Sequence, residues 1–224
     1  MAEKESVPVP SQVAEQAAES AGLDLSHHIK GRAEVVCPAR RSLGEGALWC
    51  PIRKKLLWID IARGKIFTFD PADGSNEFVD LRQSVGTVVP LDEKRVVAAI
   101  AKGVCVIDLT KTGGEVFGKF LGNPCDSPVT RYNDGKCDNQ GRLWVGTMGC
   151  FCEEEIGSLY SFEQAPDSDE IVTKTHLEGV TVSNEIVWTA DSSTMYYIDT
   201  PTLKVDAFDF DAKTGAISNR RQVG

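Results

Sequence analysis

The chain has 224 residues, of which 42% are apolar and 25% charged, with a formal net charge of −9 at pH 7 and a pI near 4.9. This composition suits a globular domain with a packed core. It excludes the basic face that a nucleic-acid partner needs and any attraction to anionic lipid, whereas a metal cation or a small polar ligand is compatible with it.

Residues 1–31 are polar and rich in Ala, Glu and Ser, and we interpret them as a flexible leader preceding a domain over 32–224. No apolar segment follows a basic start, and no run approaches the roughly 18 apolar residues of a membrane span. Seven cysteines at irregular spacing suit reduced thiols. We therefore expect a cytoplasmic protein with no membrane partner.

From Ala33 onward, short Val, Ile, Leu and aromatic runs are separated by Gly, Pro, Asp and Asn, which predicts an all-β domain with a first strand at Ala33–Cys37. Four segments can be superimposed, each with a short strand, a polar turn, an apolar middle strand, a second turn and a third strand. The middle strands begin at Leu56, Val96, Leu143 and Met195, in steps of 40, 47 and 52 residues. These steps match the roughly 40 to 50 residues of a propeller blade. We therefore predict a β-propeller, with a sandwich or a plain barrel as the alternative.

One position of the superimposed repeats, just before the innermost strand, carries polar side chains. It is occupied by Glu45, Val85, Asn133 and Asn184, so three of the four repeats place an oxygen-bearing group there. Equivalent positions of successive blades converge at one end of the central channel of a propeller. A carboxylate and two carboxamide oxygens suit one divalent ion, namely Ca²⁺, Mg²⁺ or Mn²⁺, with Zn²⁺ as a further option. The alternative is that these side chains cap loops and face water.

The stretch RYNDGK, residues Arg131–Lys136, has two interpretations. Asp-Gly between extended segments is a strong signal for a tight turn, because Gly accepts a positive φ. The polar residues at matching positions of two other repeats indicate instead the edge of a binding site.

Two cysteines follow this region closely. Cys150 and Cys152 form a C-x-C pair that could bind a soft metal, although no second pair completes a zinc site. His176 falls in a predicted loop, and the sequence offers no histidine cluster.

Six motifs resemble the senescence marker protein/regucalcin/gluconolactonase family. They are SLGEGALW (42–49), RYNDGKCDNQGRLWVGTM (131–148), GSLY (157–160), VSNEIVW (182–188), MYYIDT (195–200) and VDAFDFDAKTGAISNRR (205–221). The resemblance is specific, because the motifs occur in the right order at compatible intervals. It implies a six-bladed propeller, of which about four blades are present here, with one divalent metal ion in its channel. It also implies hydrolysis of sugar lactones such as glucono-1,5-lactone, although some relatives act on organophosphates or are described chiefly as calcium-binding proteins.

The resemblance also implies roles for individual residues. By motif match, Glu45, Asn133 and Asn184 correspond to metal ligands, and Arg131 and Asp134 correspond to positions that line the substrate pocket, which Asn133 also contacts. We expect Arg131 to hold substrate oxygens with its guanidinium and Asp134 to assist as a base toward the attacking water. The alternative for Asp134 is that it only accepts backbone N–H groups in a turn.

Three features depart from the pattern of the family. Its fourth metal ligand is an Asp on the fifth blade, which also serves as base or nucleophile, and this position falls beyond Gly224. We therefore expect four blades on their own to be marginally stable and to bind metal more weakly. Glu185 stands where the family usually has Gly. The acidic lid residue of the family falls at Phe151, and one of the residues Glu153–Glu155 could replace it.

The sequence thus predicts a metal-dependent hydrolase of sugar lactones. A calcium-binding or regulatory propeller without turnover is the alternative from a different class, because the fifth-blade Asp is absent, and a purely structural interaction propeller is a third. The expected partner is a small lactone, and neither nucleic acid nor membrane is expected. The sequence indicates no oligomeric state.

Overall fold

The structure is a computed structural model that describes residues 34–38, 41–125 and 127–223. Within the unit Ala39–Gly224, the described residues form four antiparallel sheets of four strands each, and every sheet is built from consecutive strands. We call these sheets blades 1 to 4. The strands of blades 1 and 2 are β1 (Gly44–Cys50), β2 (Lys55–Asp60), β3 (Lys65–Phe69), β4 (Asn76–Asp80), β5 (Val85–Pro90), β6 (Arg95–Ile100), β7 (Gly103–Asp108) and β8 (Phe117–Gly122). Those of blades 3 and 4 are β9 (Thr130–Cys137), β10 (Leu143–Gly149), β11 (Gly157–Gln164), β12 (Ile171–Val180), β13 (Ser183–Trp188), β14 (Thr194–Asp199), β15 (Asp206–Asp211) and β16 (Ala216–Gln222).

Helices are confined to two 3-10 turns in the described part of the chain, Gly113–Val116 and Thr200–Thr202. No helix among these residues has the length and apolar character that crossing a membrane requires. In the other compact unit, Met1–Pro38, residues Glu34–Pro38 form neither helix nor strand. The predicted strand Ala33–Cys37 is therefore wrong over its described part, because a strand needs a hydrogen-bonded ladder to a neighbour. The predicted leader, 1–31, lies outside the described residues.

The predicted middle strands are confirmed. β2, β6, β10 and β14 each begin within one residue of the predicted start. The superimposed repeats missed the fourth, outermost strand of each blade and the first residues of each innermost strand. In β4, for example, most residues are exposed or half-buried, so the apolar pattern that identifies a strand is weak there.

The core lies between consecutive blades. One cluster of buried apolar side chains joins blades 1 and 2, a second joins blades 2 and 3, and a third joins blades 3 and 4. Their members include Ile59 and Val85 in the first cluster, Val104 and Tyr132 in the second, and Trp144 and Met195 in the third. A twisted sheet that is apolar on both faces must be covered on both, and separate sheets stacked face to face achieve this. The propeller prediction is confirmed, since a plain barrel would be one closed sheet and a sandwich would have two.

Each innermost strand contains an irregularity in its pairing with the middle strand. In β1, β9 and β13, two residues oppose a single residue of the partner: Gly46–Ala47, Asn133–Asp134 and Asn184–Glu185. In β5 the extra residue is Gly86. Such bulges bend a strand and change the direction of its side chains, so all four innermost strands are distorted at corresponding points.

The stretch Arg131–Lys136 therefore lies inside strand β9, and its interpretation as a tight turn is wrong. Gly135 is required for close approach and not for a positive φ. A Cβ atom at Gly135 would lie 2.5 Å from the carbonyl oxygen of Trp144 and 2.9 Å from Cγ2 of Thr87 in blade 2. Adjacent blades can meet at this strand only because the side chain is missing.

Candidate functional site

The bulges of the innermost strands surround a cavity of about 210 Å³. It is lined by all five residues that the sequence predicts for the site, which are Glu45, Arg131, Asn133, Asp134 and Asn184. Three blades contribute them, so residues far apart in the chain converge as the repeat pattern predicts. In blade 2 the backbone of Gly86 lines the cavity instead, while Val85 is buried in the core between blades 1 and 2.

The strand register refines the equivalence between the repeats. Asn133 and Asn184 are both the first residue of their bulges, so they occupy the same structural position in blades 3 and 4. Glu45 pairs with Ile59 and precedes the bulge of β1 by one residue. The superposition of sequences was therefore offset by one residue for Glu45. The first bulge position of β1 is Gly46, which has a φ of 60° and no side chain.

Two buried aspartates at the ends of middle strands fix where the innermost strands of blades 1 and 4 begin. Each carboxylate accepts hydrogen bonds from two successive backbone N–H groups that precede the innermost strand. The bonds are Ser42 N to Asp60 Oδ2 (3.0 Å), Leu43 N to Asp60 Oδ1 (3.3 Å), Thr181 N to Asp199 Oδ2 (3.0 Å) and Val182 N to Asp199 Oδ1 (2.7 Å). Hydrogen bonds to a carboxylate are stronger than those between neutral groups. The four bonds therefore fix the backbone just before the strands that carry Glu45 and Asn184.

A hydrogen-bond network connects the polar side chains across blades 3 and 4. The buried Asn133 accepts a bond at Oδ1 from Arg131 Nη1 at 2.7 Å. Its Nδ2 donates to the Ser183 carbonyl at 2.7 Å and to Asn184 Oδ1 at 3.3 Å. Asn184 in turn donates from Nδ2 to Thr200 Oγ1 at 2.6 Å. Both carboxamides are thereby held in one orientation, with Asn133 at the centre.

The charges around the cavity are of both signs. Burial lowers the pKa of Arg131, and the neighbouring Cys150, Cys152 and Glu45 groups oppose that shift when they are ionised. Glu45 is exposed, and among the described residues its carboxylate takes part in no hydrogen bond or ion pair. A carboxylate without a partner at the edge of a cavity is available to a ligand.

Asp134 is the second acidic group in the cavity. Burial raises its pKa above the ordinary range, and the nearby carboxylates of Glu185 and Glu45 act in the same direction. The N–H of Gly135, which donates to Oδ1 at 2.8 Å, and the ammonium of Lys136 oppose the shift. Lys136 is itself paired with Glu185 at 2.5 Å, so Glu185 takes part in an ion pair.

The donor set fits a divalent cation of the oxygen-preferring kind. It consists of the unpartnered Glu45 carboxylate and the carboxamide oxygens of Asn184 and Asn133, which are the ligands that Ca²⁺, Mg²⁺ and Mn²⁺ accept. The Asn133 oxygen is shared with the Arg131 guanidinium, which places positive charge next to the set. In the described part of the chain, no group of three or more His, Cys, Asp or Glu side chains is placed to hold a metal.

The loop after β10 contributes a residue that sequence reasoning did not assign to the cavity. Cys152 lines it, whereas none of the residues Glu153–Glu155 does. The Glu153 carboxylate instead accepts a hydrogen bond from the backbone N–H of Phe151 at 2.9 Å, and the Phe151 side chain is 88% exposed. The only sequence signal for Cys152 was the C-x-C pair itself.

Comparisons with known proteins agree with this architecture. Residues 43–223 match the family described as the SMP-30/Gluconolactonase/LRE-like region. Regucalcin of Homo sapiens is 32% identical over 195 residues, which are 85% of this chain and 62% of that protein. YvrE of Bacillus subtilis (strain 168), which is named provisionally as a sugar lactone lactonase, is 30% identical over 185 residues, covering 82% of this chain and 60% of that protein.

One solved structure supports the fold independently. It is a calcium-binding protein, regucalcin, from Agrobacterium tumefaciens str. C58, with a TM-score of 0.75 and 24% identity over 84% of this chain and 61% of the other. At this identity the likeness bears on the fold alone. The present chain spans less than two thirds of the length of each of these three proteins.

Proposed function

Because the chain belongs to the SMP-30/gluconolactonase/LRE-like family, we propose that it acts as a divalent-metal-dependent hydrolase of sugar lactones. The observation that carries the proposal is the single cavity in which Glu45, Asn133 and Asn184 meet Arg131 and Asp134. A relative that is 30% identical bears the name of a sugar lactone lactonase. This chain spans only part of the length of its relatives, and the proposal extends to it an activity of whole family members.

One divalent ion, Ca²⁺, Zn²⁺, Mg²⁺ or Mn²⁺, would be held by Glu45, Asn184 and Asn133. A bound ion of this kind supplies Lewis-acid polarisation of a carbonyl oxygen. The Asn133–Asn184 hydrogen bond at 3.3 Å keeps the two carboxamides together. Glu45, which has no partner among the described residues, supplies the negative charge.

Arg131 and Asp134 would act on the organic substrate. The Arg131 guanidinium presents several N–H donors in a fixed plane, which suits the carbonyl and hydroxyl oxygens of a sugar lactone. Asp134 would take a proton from the water that attacks the carbonyl carbon. It would return a proton to the ring oxygen as the ester C–O bond breaks, so that one water is added and one sugar acid is formed. The raised pKa of Asp134 makes it a better proton acceptor than an ordinary carboxylate.

The proposed partner is therefore a small neutral lactone, and the proposed compartment is the cytoplasm. The six cysteines from Cys50 to Cys152 are free thiols, which is compatible with a reducing environment. Fractionation of cells that express the chain would test the compartment directly.

The hydrolase proposal is tested by acid release from glucono-1,5-lactone at constant pH, above the uncatalysed rate. We expect turnover that requires Ca²⁺, Zn²⁺, Mg²⁺ or Mn²⁺ and is abolished by a chelator. Glu45→Gln should reduce it strongly, whereas Glu77→Gln, which changes an exposed carboxylate on β4, should leave it unaltered. Absence of turnover with all four metals, from protein with the expected far-UV circular dichroism, would contradict hydrolysis.

A second function from a different class is a calcium-binding or regulatory propeller without turnover. It is favoured because the cavity offers few acidic groups that could act as the base of a hydrolase. In the described part of the chain these are Glu45 and Asp134 alone, and Asp134 is already engaged by the Gly135 N–H. Saturable heat on calorimetric titration with Ca²⁺, together with no turnover, would support this function. No saturable heat with any of the metals would support a purely structural interaction propeller.

A further inference from the structure

The loop that follows β10 carries two exposed thiols, one of which lines the candidate cavity. Its backbone N–H at Cys152 donates to the Gly149 carbonyl at 3.0 Å, which closes a tight turn over Gly149–Cys152. The N–H of Cys150 donates to the Val129 carbonyl at 2.8 Å and ties the turn to the start of β9. Cys150 and Cys152 are both exposed, and Cys152 also lines the cavity. The turn therefore presents one accessible pair of thiols.

Cys152 lines the same cavity as the Arg131 guanidinium. Burial lowers the pKa of Arg131, and the ionised forms of both cysteines oppose that shift. Arg131 in turn orients Asn133. The carboxylate of Glu153, the residue that follows this turn, accepts the N–H of Phe151 within it. A covalent change at the two sulfur atoms would therefore alter the surroundings of the Arg131 guanidinium.

The other cysteines of the blades are placed differently. Cys50 and Cys105 are buried in the core between blades 1 and 2. Burial raises the pKa of Cys105 and of Cys137 to about 11, so both stay protonated near neutral pH and are poor nucleophiles. The Cys125 sulfur is hydrogen-bonded to Thr130 Oγ1 at 2.8 Å. Reagents from solvent therefore reach Cys150 and Cys152 before these thiols.

We propose that Cys150 and Cys152 form a dithiol modification site that hydrogen peroxide converts to an intramolecular disulfide at the cavity mouth. One sulfur attacks the peroxide O–O bond, which yields a sulfenic acid and one water. The second sulfur then attacks the sulfenic sulfur, and the S–S bond forms as a second water leaves. The two thiols are oxidised by two electrons in total, and the peroxide is reduced.

Chain geometry permits this bond. Two residues apart, Cα atoms are separated by about 7 Å at most in extended chain, and the turn over Gly149–Cys152 shortens that separation. Disulfides join Cα atoms roughly 4.4 to 6.8 Å apart. The bond would remove both thiols from beside Arg131 and fix the turn against the cavity. This inference does not depend on lactone hydrolysis.

The first test measures the bond itself by mass spectrometry. The folded protein is treated with a few equivalents of hydrogen peroxide, remaining thiols are alkylated, and trypsin releases the peptide 143–174, which contains only these two cysteines. We expect this peptide to become lighter by two hydrogen atoms and to escape alkylation, while Cys105 and Cys137 stay reduced. In Cys150→Ser, a sulfenic-acid probe such as dimedone should label Cys152 instead. A peptide that is still alkylated twice, under conditions that fully oxidise glutathione, would overturn the proposal.

The second test measures the effect on the cavity without using activity. Arg131 is labelled with 2,3-butanedione, and its rate of modification is compared in the reduced and the peroxide-treated protein. We expect labelling to be several-fold slower after oxidation, and the difference should vanish in Cys150→Ser/Cys152→Ser. Equal rates in both states would show that the thiols do not control access to Arg131. Cys125→Ser, which alters a thiol outside the turn that is hydrogen-bonded to Thr130, is the control and should behave as the unaltered protein.

Discussion

The contact between Gly86 of blade 2 and the bulge of β9 predicts a large effect from a single added methyl group. A Cβ atom at Gly86 would lie 2.4 Å from the carbonyl carbon of Tyr132 and 2.5 Å from the carbonyl oxygens of Tyr132 and Asn133. All three atoms are backbone, so no side chain can rotate away. To restore ordinary contact distances in Gly86→Ala, β9 must retreat from blade 2 by about 1 Å.

The cost of that movement has two parts. Overpacking of this kind destabilises a protein by about 1 to 3 kcal/mol. A shift of β9 away from blade 2 also moves Asn133 relative to blade 4 and distorts the 2.7 Å hydrogen bond from Asn133 Nδ2 to the Ser183 carbonyl, whose loss costs about 1 kcal/mol. We therefore expect Gly86→Ala to lower the free energy of unfolding by about 2 to 4 kcal/mol, which corresponds to a fall in Tm of roughly 5 to 15 °C for a domain of this size.

The assay is thermal unfolding followed by tryptophan fluorescence, with Gly44→Ala as the control. Gly44 also lies in an innermost strand, but its added Cβ would meet its nearest neighbours at 3.7 and 3.8 Å, which is ordinary van der Waals contact. Gly44→Ala should therefore change Tm by only a degree or two. Equal Tm values for the two variants would refute the claim that Gly86 sets the distance between the blades.

Three further predictions concern buried polar groups. Arg142→Ala should lower the free energy of unfolding by about 3 to 5 kcal/mol in urea titration, because it leaves the buried Asp138, now 2.7 Å from Arg142 Nη1, without its cation. Arg221→Ala removes an exposed pair and should cost less than about 1 kcal/mol, so similar losses would contradict the role of burial. Asp199→Ala should cost about 2 to 4 kcal/mol by the same titration, because two N–H groups before β13 lose their acceptor, and an unchanged midpoint would count against it. Burial lowers the pKa of His176 to about 4, so the unfolded chain binds more protons than the folded chain between pH 4 and 6.5. The contribution of His176 to the free energy of unfolding should therefore be fully present above pH 6.5, and that free energy should fall by up to about 3 kcal/mol as the pH drops to 4. His176→Gln should remove that part of the pH dependence, and an identical pH profile would exclude His176 as its source.

Sequence reasoning succeeded where the physical signal is periodic. The middle strands are buried or half-buried along almost their whole length, so runs such as VVAAI and MYYID stand out, and their spacing alone gave four blades. The outermost strands are half-exposed and carry little apolar pattern. His176 illustrates the consequence, since it was placed in a loop but lies in β12 with its ring stacked on Trp144 at a centroid distance of 4.0 Å.

The structure partly revises the reasoning by which the candidate site residues were predicted. Asn133 and Asn184 do occupy equivalent bulge positions, but Glu45 lies one residue earlier, and a bulge is a property of strand pairing that one strand's sequence does not display. The Asn-Asp-Gly stretch was compatible with a turn because turn preference is local. The requirement for Gly135 comes instead from the Trp144 carbonyl of the paired strand and from Thr87 in another blade.

The most direct test of the account is calorimetric titration of the protein with Ca²⁺ and Zn²⁺, compared with Glu45→Gln and Asn184→Ala. We expect one saturable site in the unaltered protein and at least about tenfold weaker binding in each variant, with unchanged far-UV circular dichroism and with Glu77→Gln binding normally. Equal affinity in all four proteins would mean that the cavity between the innermost strands does not hold the ion.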